Sequence, residues 1–219
     1  MKLADQLKPQ GKVEIIVTRG VPTIVKGKLL PEYSKHFPVY DSAEIVYADT
    51  DLISYDTLKN IVLNAGKDRI ISSLTTGFIK NMCRMAVGDR GTIPSDPTVP
   101  KVPTATMTSL YNEVYRSDID VATLNIGTPT EHSVKFIKTF SALVIPITAF
   151  SNQANPVINE VAMVLADLIS GNPLPRADVA APATPDADEQ LGAMRAFKSV
   201  PFEAANEISI TIRYTIFIE

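Results

Sequence analysis

The chain has 219 residues, 45% of them apolar and 21% charged, with a formal charge of −3, which excludes the disordered and collagen-like classes and allows one large domain with a buried core. Sixteen prolines, ten glycines and no tryptophan argue against a helical bundle, since an interior proline costs a helix about 3 kcal/mol; strands joined by many loops are expected. The balance of 24 acidic against 21 basic residues, with no basic cluster, disfavours a nucleic-acid surface.

The opening MKLADQLKPQGK lacks the apolar core of an export signal. The longest apolar runs, such as residues 161–165, fall far short of the roughly 20 residues a spanning helix needs. A soluble, unexported chain with no membrane insertion is therefore expected. The single cysteine, Cys83, forbids an intrachain disulfide and leaves no thiolate cluster for a metal; it is read as a buried thiol inside a strand.

In chain order, residues 12–19 and 23–25 are two β segments around Gly20-Val21-Pro22 and predict an N-terminal hairpin over 12–25. Residues 26–55 carry four tyrosines and scattered prolines, with a short strand candidate at 43–47. A β-like run at Leu58 to Leu63 follows, then Asn64-Ala65-Gly66 and a helix over about 66–78, in which Ile70, Ile71, Leu74 and Phe78 share a face and Gly77 marks the end. Residues 82–88 alternate as a strand and close on the turn Gly88-Asp89-Arg90-Gly91, where glycine would suit positive φ angles.

Pro94, Pro97, Pro100 and Pro103 recur every three residues, the period of polyproline II. A stiff strap across the domain is the reading taken, with a groove ligand as the alternative. Residues 110–116, 120–126, 133–147, 158–165 and 193–202 are further strand candidates. Between 170 and 192 prolines sit among Ala, Asp and Asn, which predicts an exposed loop. The clearest pattern is the last: Ile208, Ile210, Ile212, Tyr214, Ile216 and Ile218 alternate with Ser209, Thr211, Arg213, Thr215 and Phe217. Such a strand must pack on a second sheet or on another subunit. The fold class expected is thus mainly β, an antiparallel β-sandwich with one short helix and long proline-rich loops, over a single domain spanning 1–219.

Signs of chemistry are few. The two histidines, His36 and His132, lie far apart in unlike contexts, and no serine sits in G-x-S-x-G. Asp49-Thr50-Asp51 and Asp186-Ala187-Asp188-Glu189 are the tightest acidic groups, and neither continues into a calcium loop. Gly88 to Thr92 lacks the G-K-[ST] ending of a phosphate loop. No catalytic, cofactor or metal residue is assigned, and no enzyme is expected.

The order of motifs resembles a family of tailed-bacteriophage virion proteins found as tail-fibre, baseplate or other appendage-associated subunits. The matching residues are Lys59-Asn60-Ile61-Val62 with Ala65-Gly66-Lys67, the short helix, and Met85-Ala86-Val87-Gly88-Asp89-Arg90-Gly91-Thr92. They continue with Leu110 before Glu113-Val114-Tyr115-Arg116, the β-run with Phe136 and Phe140, Ile158-Asn159-Glu160-Val161-Ala162, and Phe197 or Phe202 before the alternating strand at 208–218. Against the family pattern, Asp89-Arg90 replaces a small polar pair, Ala162 stands where glycine is common, and 26–55 and 170–192 look like insertions. The Glu113 to Arg116 spacing reads as a charged pair near a sheet edge.

The resemblance implies a non-enzymatic structural subunit of a phage tail or appendage (fibre, baseplate or collar), made in the host cytoplasm and located in the virion. It also implies partners among other tail, baseplate, fibre or neck proteins and a homo-oligomer, a trimer or sixfold ring. The segments 94–103 and 170–192 are the expected partner contacts. The alternative is a receptor- or glycan-binding β-sandwich of the virion, for which Tyr33, Phe37, Tyr40 and Tyr47 could stack on sugars.

Overall fold

The computed structural model describes residues 9–19, 23–24, 45–46, 51–72, 80–128, 131–169, 172–173 and 189–218. The long strands are β1 (Pro9–Arg19), β4 (Asp51–Val62), β5 (Lys80–Gly88), β8 (Glu113–Asp118), β9 (Val121–Thr128), β10 (Glu131–Ser141), β11 (Val157–Ile169), β13 (Gln190–Pro201) and β14 (Ile208–Ile218). Short pairs are β2 (Thr23–Ile24) with β3 (Ile45–Val46), β6 (Thr92–Ile93) with β7 (Asp96–Pro100), and β12 (Asn172–Pro173) against the end of β11. The one α-helix described is α1 (Asn64–Ser72).

The long strands run in the order β8-β5-β11-β13-β4-β1-β14-β10-β9, each antiparallel to its neighbour. They form a sandwich of two layers, one of β4, β1, β14, β10 and β9, the other of β8, β5, β11 and β13. The layers meet where the end of β4 pairs with β13 at Ile61 and Val62. One core lies between them: Val13, Ile15 and Val17 of β1 and the even residues 208–216 of β14 face Met85, Val87, Val161, Met163 and Phe197. Tyr115 of β8 meets Phe140 of β10 edge-on across the gap, ring centroids 6.4 Å apart.

The period of two in β14 thus packs on a second layer, as the alternation required. Its other face is buried too: Ser209, Thr211 and Arg213 are shielded from water, as are Glu14, Ile16 and Thr18 beside them on β1. A strand with neighbours on both edges, β1 and β10, and cover on both faces is the centre of its layer.

Several expectations change. Residues 12–25 do not form a hairpin: β1 pairs with β14 and β4, and β2 pairs with β3. The eleven rungs that β14 offers β1 far outnumber what a two-residue strand could supply. Of the segment 26–55, only β3 and the start of β4 are described, and the expected strand at 43–47 is the β3 pair. Helix α1 starts at Asn64, two residues before the expected 66, because the Leu63 N–H makes the last ladder bond to Gly192 (2.9 Å) and the Lys67 N–H then reaches back to the Leu63 carbonyl. Leu74, Gly77 and Phe78 lie outside the described residues.

The prolines at 94–103 do not share an edge. Pro94 is in the turn of the β6–β7 hairpin, Pro97 and Pro100 are in β7, and Pro103 is buried. A strap does exist, displaced to residues 101–112. Its Met107, Leu110 and Tyr111 cover Ala86, Ala162, Val164, Leu191 and Met194 on the outer face of the second layer. The loop expected over 170–192 is also shorter than that: Glu189, Leu191 and Gly192 are buried and β13 begins at Gln190. Residues 174–188 lie outside the described residues.

Candidate functional site

Three of the motif segments, far apart in sequence, meet at one end of the second layer: the turn 88–92 after β5, the junction 111–116 entering β8, and the start of β11 at 158–160. Asn159 and Glu160 organise them. Asn159 Oδ1 accepts the Gly91 N–H at 2.6 Å, and its Nδ2 lies within donating distance of the Asp89 carbonyl (3.2 Å), Thr92 Oγ1 (3.1 Å) and Ser199 Oγ (3.0 Å). The ladder between β11 and β13 slips at this point, between Ile158 and Glu160, next to where Asn159 reaches Ser199.

Glu160 is fully buried. Its carboxylate accepts the backbone N–H of Tyr111 (2.8 Å), Asn112 (2.9 Å) and Arg90 (3.2 Å). Burial pushes its pKa above the ordinary carboxylate value; the three N–H donors counter that, and the nearby Asp89 charge adds to it. Asp89 completes the arrangement, accepting from Asn112 Nδ2 (2.7 Å) and from the amide and hydroxyl of Ser151 (both 2.6 Å).

The glycines of this turn serve proximity. Neither Gly88 nor Gly91 has a φ in the left-handed region, contrary to the expectation of positive φ. A Cβ on Gly88 would overlap the Asn112 carbonyl and stand 2.5 Å from Glu160 Oε1, and one on Gly91 would overlap the Asn159 carbonyl and stand 2.8 Å from Glu160 Cβ. The turn must press against β11 for Asn159 and Glu160 to reach it, and only glycine permits that approach.

A second cluster lies on the same outer face. Val114 is an extra residue in β8, since Tyr115 pairs with Val87 and Glu113 with Gly88. This bulge brings Glu113 and Arg116 onto one face, and the Arg116 guanidinium grips the Glu113 carboxylate through Nε and Nη2. The expected charged pair at a sheet edge is present, for β8 ends the strand path. Glu189 then bridges Arg116 and Arg84 of β5, and Arg84 Nε donates to Asp118 at 2.8 Å. Burial alone would lower the pKa of both arginines; the bonded carboxylates outweigh it and raise them, which fixes both charges. Sequence reading placed Glu189 at the end of an acidic run and missed its role, since its partners are 73 and 105 positions away.

Of the other candidates, His36, Asp49, Asp186, Asp188, Tyr33, Phe37, Tyr40 and Tyr47 lie outside the described residues, whereas Asp51 opens β4, Cys83 is in β5 and His132 is in β10. Among the described residues no group of three or more His, Cys, Asp or Glu side chains is placed to hold a metal ion, and no helix is long and apolar enough to cross a membrane. The polar atoms of the converging motifs are engaged with backbone and with each other, so the arrangement fixes a turn and a strand junction in place. No family model, curated protein or solved structure matches the chain.

Proposed function

We propose that the chain is a non-enzymatic structural subunit of a bacteriophage tail or tail appendage, a fibre, baseplate or collar component that acts through contacts with other virion proteins. The observation that carries this reading is the use made of the motif residues: Gly88, Gly91, Glu113, Arg116, Asn159 and Glu160 all serve to lock the turn 88–92 and the entry to β8 onto the sandwich. A catalytic or ligand site keeps polar atoms directed at a substrate. A structural module spends them on rigidity, and these residues do the latter.

The partners under this reading are other tail, baseplate, fibre or neck proteins, in a homo-oligomer of threefold or sixfold symmetry located in the virion. The test is a low-resolution image of the intact particle with this subunit labelled. Density at the tail supports the reading, and absence of the protein from purified particles overturns it. Binding on a glycan array without co-purification of tail proteins would instead favour a receptor- or glycan-binding sandwich.

A further inference from the structure

The strap over the second layer rests on the sandwich without belonging to it. Residues 101–112 contain no strand or helix, and Val102, Thr104, Thr106, Thr108 and Ser109 are exposed; Pro103 and Leu110 alone are buried. Among the described residues its backbone is tied to the rest of the chain near its ends and once between. The Lys101 N–H donates to the Gly91 carbonyl at 2.7 Å, and the Ala105 carbonyl accepts the Asn64 N–H at 2.9 Å. At the far end the Asn112 carbonyl accepts the Asp89 N–H (3.2 Å), and the Tyr111 and Asn112 N–H groups both end on Glu160. Beneath the strap Ala86, Ala162, Val164 and Met194 are fully buried, packed against Met107, Leu110 and Tyr111.

Glu160 is an unusual anchor for such a segment. It is fully buried, yet among the described residues no cation pairs with it, whereas a buried charge is ordinarily paired. The turn after β5 brings a second carboxylate, Asp89, which accepts from Asn112 and Ser151, and Arg90, which gives its amide to Glu160 while its side chain is exposed. The strap brings Tyr111, whose hydroxyl is held neutral by burial and by the Glu160 charge, and Lys101, which lies 4.4 Å from the Tyr111 ring and donates to the Arg90 carbonyl. On β8, Glu113 and Arg116 bond each other, and on β13 the register partner of Glu160 is the uncharged Ala196.

We propose that residues 101–112 are a latch that opens as one unit while the sandwich stays folded, and that Glu160 is its proton-controlled catch. Opening withdraws the Tyr111 and Asn112 amides and admits water to the carboxylate. In the closed form burial disfavours the charged carboxylate and the neighbouring Asp89 charge adds to this; the three N–H donors favour the charge without outweighing burial. The closed form therefore takes up a proton more readily than the open one, whose carboxyl returns towards the ordinary 4.5. Acid holds the latch shut, and it opens more often as pH rises between the two values. The open form bares the apolar strip of Ala86, Ala162, Val164 and Met194. None of this rests on the virion reading.

The experiment is amide hydrogen exchange on the full chain, resolved by residue, from pH 4.5 to about pH 8, with the intrinsic exchange rate divided out. The Asn64, Lys101, Tyr111 and Asn112 amides should share one opening constant, larger than that of the β5 and β11 amides. It should rise with pH by up to about tenfold per unit across the window. Leu110→Ala should raise it at least about tenfold for all four amides together. Glu160→Gln should make it indifferent to pH, and Asp89→Asn should move the rise to lower pH, because the like charge is gone. Amides that open independently, a strap as protected as the sandwich, a flat parent profile, or a pH dependence that survives Glu160→Gln overturns the proposal. Should Glu160→Gln fail to fold, the Asp89→Asn profile decides, and an unmoved rise overturns it.

Discussion

Gly66 in the first turn of α1 and Gly192 in β13 meet backbone to backbone: a Cβ on Gly66 would overlap the Gly192 carbonyl oxygen and stand 2.9 Å from its carbon. The same oxygen accepts the Leu63 N–H at 2.9 Å. The contact therefore sets where β4 stops and the helix begins. Gly66→Ala tests it through its sign. At an ordinary helix position the change gains up to about 1 kcal/mol, whereas overlap with a strand backbone that cannot swing aside costs about 1–3 kcal/mol. Urea unfolding should show a net loss, and a variant as stable as the parent would mean that the two backbones are not this close.

Asn159→Ala should be among the costlier substitutions in the chain, at about 2–4 kcal/mol. It strands the buried Gly91 N–H, which costs about 1–3 kcal/mol, and removes the donor to the Asp89 carbonyl. Asn159→Asp should not rescue it, because an oxygen would replace Nδ2 opposite that carbonyl. Hydrogen exchange reads the effect locally: the Gly91 amide should lose its protection in Asn159→Ala, which removes its acceptor, and keep it in Asn159→Asp, which retains Oδ1; unchanged protection in the alanine variant would dismiss the clamp.

Glu189→Ala should cost about 3–5 kcal/mol, the usual consequence of removing one member of a buried ion cluster. Among the described residues Arg84 would keep Asp118 and Arg116 would keep Glu113, and both guanidiniums would stay buried. Replacing Glu189, Arg84, Arg116 and Glu113 together by apolar residues of similar size should recover much of the loss, since the cluster also carries a desolvation penalty and no buried carboxylate is then left without its arginine. Thermal unfolding of the parent and both variants measures this. Added salt should hardly change the differences, because buried pairs are screened little.

Glu160 gives a pH dependence with a definite sign. Its folded pKa lies above the unfolded value because burial disfavours the charged form. Its contribution is thus fully present below the unfolded pKa, near 4.5, and is lost as pH rises through the elevated folded value. Glu160→Gln removes this titration. Stability of the variant relative to the parent should therefore rise as pH increases across that window, and a flat difference would show that the carboxyl is not titrating in a buried site.

Much of the sandwich was legible in local pattern. The alternation of β14 located the central strand, because a strand with one apolar and one polar face writes both into sequence, and the alternating run at 82–88 with the β candidates at 158–165 and 193–202 located most of the second layer. Pairing was not legible. Nothing within residues 9–24 says that β1 will take β14 as partner instead of folding back on β2, since the choice is decided by rungs offered at the far end of the chain. The candidate site divides the same way. Glu113 and Arg116 were readable as a pair from their spacing. The reason for Gly88 and Gly91 was not, because it depends on β11 arriving beside the turn. Glu189 was hidden among Ala, Asp and Pro residues that look like solvated loop.

The β1–β14 ladder also governs how the chain would bear load. Pro9 pairs with Ile218 and Arg19 with Ile208, so positions 9 and 218 leave the sheet side by side at one end. Tension applied across them would peel the two strands apart one rung at a time, the soft mode of an antiparallel pair. The same ladder pulled along the strand axes from opposite ends would load its eleven rungs together. The ladder is therefore weak to separation of residues 9 and 218 and strong to shear along β1 and β14.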